Sequence, residues 1–88
     1  MPSLESTALK IMEESGELAQ AIGKFRGLNG EQQRLAEHEA MAKVASELMD
    51  VAQTAVTMMF VLEEQHGIDI EEILAEHVEK LRKKGYCD

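Results

Sequence analysis

Apolar residues recur at three- and four-residue spacing in three stretches of the chain and nowhere alternate, a helical pattern throughout. The first stretch runs from about Ser3 to Gly23, with Leu4, Ala8, Ile11, Leu18, Ile22 and Phe25 along one side. Gly16 lies inside it, at a cost of roughly 1 kcal/mol relative to Ala. Gly27, Asn29 and Gly30 then mark a loop. The second stretch begins between about Glu31 and Leu35 and ends at His66, with a stripe of Met41, Val44, Leu48, Val51, Ala55, Met58, Met59 and Leu62. Gly67 supplies a left-handed stop. Asp69 with Glu72 resembles a capping box for the third stretch, where Ile70, Ile73, Leu74, Val78 and Leu81 face inward. Lys83, Lys84 and Gly85 close it, with positive charge at the negative end of the helix dipole. The pattern predicts a single all-α domain over residues 1–88.

Between Val51 and Leu62 the pattern changes. Phe60 and Val61 fall opposite the main stripe, so apolar residues encircle the helix. Three helices are too few to cover such an element. The expectation is a helical bundle completed by homo-oligomerisation, at least a dimer. Size argues the same way, because 88 residues bury only a modest fraction of their surface. A disulfide framework is excluded, since Cys87 is the sole cysteine. One free thiol fits a reducing cytoplasm. The start, Met1-Pro2-Ser3-Leu4-Glu5, lacks the basic and apolar regions of a signal peptide, and the uncharged run from Val51 to Leu62 is too short to span a bilayer. A cytoplasmic protein without a membrane partner is expected.

Charge narrows the ligands. Seventeen acidic and nine basic residues give a net charge of −8, which argues against binding a nucleic-acid polymer. Any phosphate-bearing ligand is repelled unless a cation intervenes.

Glu14 and Glu17 are three residues apart on the first helix, and Glu47 and Asp50 repeat that spacing on the second. On a helical wheel, Glu14 and Glu47 each fall about 80° from the centre of their own apolar stripe. Each pair therefore borders a buried face, and antiparallel packing brings the pairs to one groove. Four adjacent carboxylates repel and raise one another's pKa values. A hard divalent cation removes that penalty, and oxygen-only ligands select Mg²⁺, Mn²⁺ or Ca²⁺ over zinc. Asp69/Glu72 and Glu76/Glu79 share the spacing but read as capping or solvated residues.

The run Lys10-Ile11-Met12-Glu13-Glu14-Ser15-Gly16-Glu17-Leu18-Ala19-Gln20-Ala21-Ile22, followed by Glu47-Leu48-Met49-Asp50-Val51, resembles the MazG-like all-α nucleoside triphosphate pyrophosphatases. Their hallmark is an E-x-x-E helix and then an E-x-x-D helix. The resemblance implies a Mg²⁺-dependent hydrolase, with Mn²⁺ a possible substitute, that splits a nucleoside triphosphate into monophosphate and pyrophosphate and assembles as a dimer or tetramer around a four-helix-bundle core. It implies Glu14, Glu17, Glu47 and Asp50 as metal ligands, with Glu13 or one of those four, Glu14 foremost, orienting the attacking water. Family members carry a later Asn and Lys that touch substrate. The nearest match here is His77 with Lys80, followed by Lys84, Gly85 and Tyr86; Lys10 is a further candidate for the phosphates. His in place of Asn leaves the base and sugar preference open.

Other readings are weaker. Glu63-Glu64-Gln65-His66 holds one E-x-x-H, the half-motif of di-iron bundles, which need two. Cys87 has no His near it in sequence to activate it. Tyr86 either stacks on a base or packs at the helix end. A non-catalytic helical oligomer that binds nucleotide or a partner protein is the alternative to an enzyme.

Overall fold

The computed structural model describes residues 2–26 and 33–87, with the side chains of all but 25, 26 and 33–36. The expected loop at Gly27, Asn29 and Gly30, and the side chain of Phe25, lie outside the described residues. Three helices follow in order: α1 (Leu4–Arg26), α2 (Gln33–His66) and α3 (Ile70–Lys83). The all-α expectation holds.

Local signals explain most helix ends. Ser3 caps α1, its Oγ accepting from the Ser6 N–H at 3.0 Å. Gly67 takes φ 64° and stops α2. Asp69 caps α3, its Oδ1 accepting from the Glu72 N–H at 3.1 Å. At the far end of α3, Gly85 takes φ 82°. The Tyr86 N–H reaches the Leu81 carbonyl at 2.9 Å and the Gly85 N–H reaches that of Arg82 at 3.0 Å, the paired bonds of a Schellman motif. One boundary differs from expectation: α1 continues past Gly23 to Arg26. Gly23 keeps an ordinary helical backbone, without the positive φ that terminates a helix at glycine.

α1 and α2 pack side by side along their lengths and run antiparallel; Gln65 near the end of α2 donates to the Pro2 carbonyl at 3.0 Å. The seam follows a heptad rhythm. From α1 it takes Leu4, Thr7, Ile11, Glu14, Leu18 and Ala21, and from α2 Val44, Glu47, Val51, Thr54, Met58 and Val61. This corrects two sequence expectations. Val61, placed on the far side, is the most buried of the described residues at 0 % exposure, whereas Leu48 from the predicted stripe is 53 % exposed. Glu14 and Glu47, placed beside the stripe, lie in the seam itself. Apolar residues on two faces of α2 had been averaged into one stripe whose centre matches neither.

The second face is open. Met41, Leu48, Met49, Val56, Met59 and Phe60 are exposed along α2. α3 packs sparsely on α2 and not on α1, and none of its residues is buried. The chain measures 53 × 35 × 14 Å with a radius of gyration of 17.2 Å, against about 12 Å for a compact chain of this length. The third dimension is little more than one helix diameter.

Candidate metal centre

Halfway along the α1–α2 seam the apolar layers are interrupted by acids. Glu14, Glu47 and Asp50 each present a carboxylate oxygen, all within 4.8 Å of one another. Glu14 and Glu47 are each only 6 % exposed. On each, one oxygen holds a lysine from the preceding turn of its own helix: Lys10 Nζ to Glu14 Oε1 at 3.0 Å, and Lys43 Nζ to Glu47 Oε1 at 2.8 Å. The other oxygen, Oε2 in both, is buried with no hydrogen-bond partner. Buried acceptors are rarely left unmade, because desolvation without a partner costs about 1–3 kcal/mol or more for a charged group. Two such oxygens from facing helices, with Asp50 beside them, fit an oxygen-ligated hard cation.

Glu17 joins the cluster from its edge and is not one of the close triplet. Its carboxyl titrates above the usual range because the Glu14 charge repels its ionised form; partial burial and then the Glu47 charge push the same way. Glu47 goes the other way, held down chiefly by the hydrogen bond from Lys43 against the effect of burial. Both lysines are held above their ordinary range, Lys43 by the hydrogen bond to Glu47 and Lys10 by that to Glu14. Repulsion among acids and compensation by local cations therefore coexist in one groove.

The remaining residues named from the sequence are more scattered. Glu13 is exposed on the outer side of α1, 3.9 Å from Lys10. His77 lines an apolar groove of about 420 Å³ with Met59, Leu62, Ile68 and Ile73, between the end of α2 and α3. Lys80 lines a shallow hollow with Ile73, Glu76 and His77. Lys84 and Tyr86 are exposed beyond α3. Because α3 does not touch α1, none of these four joins the carboxylates within one chain. Glu63 and His66 are exposed at the end of α2, outside the acidic triplet. Sequence reasoning passed over Lys43. Its signal was available: Lys43-Glu47-Asp50 repeats the spacing of Lys10-Glu14-Glu17.

Comparison with known proteins bears on this geometry. No curated protein and no solved structure matches the chain. The family profile described as the MazG nucleotide pyrophosphohydrolase domain matches residues 2–85, nearly the whole length and including every acid of the cluster. The chain belongs to the MazG nucleotide pyrophosphohydrolase domain family.

Proposed function

We propose that this protein hydrolyses nucleoside triphosphates to the monophosphate and pyrophosphate, using Mg²⁺, or Mn²⁺ in its place, at Glu14, Glu47 and Asp50 with Glu17 at the edge. The pair of buried, partnerless oxygens on Glu14 and Glu47 carries this reading. When bound, the cation neutralises the carboxylates and the phosphate oxygens of the substrate, which an acidic protein otherwise repels.

The chain's own residues supply the rest. Glu14 and Glu47 are buried in the seam, and packing of that kind favours an orientation set before substrate arrives. Lys10 and Lys43, tethered one turn away, offer ammonium groups to phosphate oxygens at the rim. Glu13 lies on the outer side of α1 beside Lys10, which favours Glu14 or another of the four clustered acids as the group that orients water. His77, Lys80, Lys84 and Tyr86 act on the nucleotide only if a second copy brings α3 to the groove.

A homo-oligomer is part of the same proposal. The exposed apolar face of α2 and the thin, extended chain support it. The stretch Glu37–His66 is also long and apolar enough, by length and composition, to cross a membrane. Glu47 and Asp50 near its middle, and its long contact with α1, favour a protein partner over lipid.

Pyrophosphate release from a panel of nucleotides with Mg²⁺ tests the activity. Glu14→Ala and Asp50→Ala should each lower it by at least about 100-fold, since even outer-shell partners of a metal site are worth 10–100-fold. Wild-type turnover left intact by both changes would defeat the assignment.

A further inference from the structure

The α1–α2 groove has two unlike ends, one on each side of the carboxylates. Towards the start of α1 is a hollow of about 350 Å³ lined by Ser6, Thr7, Gln53, Thr54, Thr57 and Lys10, among others. Its polar groups are hydroxyls and an amide, with one cation, Lys10, which pairs with Glu14 at 3.0 Å. Towards the end of α1 is a hollow of about 300 Å³ lined by Glu17, Gln20, Ala21, Lys24, Lys43 and Glu47. It holds two lysines, of which Lys43 pairs with Glu47 at 2.8 Å. Lys24 enters no ion pair among the described residues.

A nucleoside triphosphate is equally lopsided, with negative charge concentrated on its outer phosphates and an uncharged sugar and base. With Glu14, Glu17 and Glu47 committed to a cation, the second hollow carries two uncompensated ammonium groups and the first carries one. Complementary charge fixes register more than it adds affinity. We infer that Lys24 and Lys43 form the subsite for the outer two phosphates, the pyrophosphate that leaves, so that the triphosphate points towards the C-terminal end of α1 and the nucleoside towards Gln53 and Thr54. The inference rests on the hydrolase reading above and adds the direction of the substrate and two residues that position it.

The test uses the full chain with Mg²⁺ and two probes, inorganic pyrophosphate and nucleoside monophosphates. By calorimetry, Lys43→Met and Lys24→Met should each weaken pyrophosphate binding about tenfold, the scale of one charge-assisted hydrogen bond. Monophosphate binding should stay within about twofold. Independently of any variant, pyrophosphate should shift the backbone amide resonances of Gln20, Lys24 and Lys43, and leave those of Ser6, Thr7 and Gln53 in place. Unchanged pyrophosphate affinity in both variants, equal losses for both probes, or shifts centred on Gln53 would each overturn the subsite. Wild-type turnover alongside any of these results condemns the subsite alone. Absent turnover with every nucleotide condemns the hydrolase reading, while pyrophosphate binding still decides the subsite.

Discussion

At the scale of single residues, the chemistry lies in the contrast between Glu17 and its neighbours. Its carboxyl is raised because the folded chain places it beside the Glu14 charge. The folded state thus holds that proton more tightly than the unfolded state does. In the cation-free protein this group costs nothing well below the ordinary value of 4.5 and becomes destabilising as pH rises from there through its raised value. Glu17→Gln should therefore stabilise the cation-free protein at neutral pH, with the gain fading as the medium is acidified through the carboxylate range; melting curves at several pH values measure this. With Mn²⁺ present the sign reverses, because the variant loses a neighbouring negative charge, and calorimetry should record weaker binding. Wild-type Mn²⁺ affinity should likewise fall as pH drops through the raised value, since proton and metal compete for one carboxylate. Cation at ten times its dissociation constant should add about 1.4 kcal/mol of stability. Glu14→Ala should abolish most of that gain in a thermal shift assay.

At the scale of elements, helix ends were legible where one residue dictates one backbone conformation. Gly67 and Gly85 adopt the positive φ that their positions suggest, and Asp69 caps α3. Asp69→Ala should cost about 1 kcal/mol, seen as lost helical circular dichroism, because α3 has little packing to compensate. Gly23 misled because a glycine in a helix interior and one at its end look alike until φ is known. The faces of α2 were legible only in part. Periodicity reports that apolar residues are present on a side, not which side meets α1, and α2 has two such sides. Val61→Ala should cost roughly 2 kcal/mol in urea denaturation, whereas Phe60→Ala, at a site 55 % exposed, should leave the fold of one chain almost unaffected. The acid pairs were legible from spacing and flanking residues. Lys43 was not singled out, because a lysine on an acidic helix is ordinary until its pairing with Glu47 is seen. The parts assigned to His77 and Lys80 depend on contacts that one chain does not make.

At the scale of the whole molecule, the open faces of α2 and α3 dominate. Leu48→Glu and Phe60→Glu, both at exposed positions of α2, should on the proposed homo-oligomer reduce the mass measured by light scattering towards that of one chain. If the metal groove is self-sufficient, Mn²⁺ binding survives in the separated chains; a fall in activity there would mark α3 of another copy as part of the substrate site. Globular domains are ordinarily two layers of secondary structure deep, so that each layer shields the other from water. Here the slab is 14 Å thick, a single layer. Such a ribbon keeps only the narrow α1–α2 seam from water, so in the proposed assembly a second ribbon would supply much of the shelter that one chain lacks. Dilution alone should then lower the temperature at which the protein comes apart.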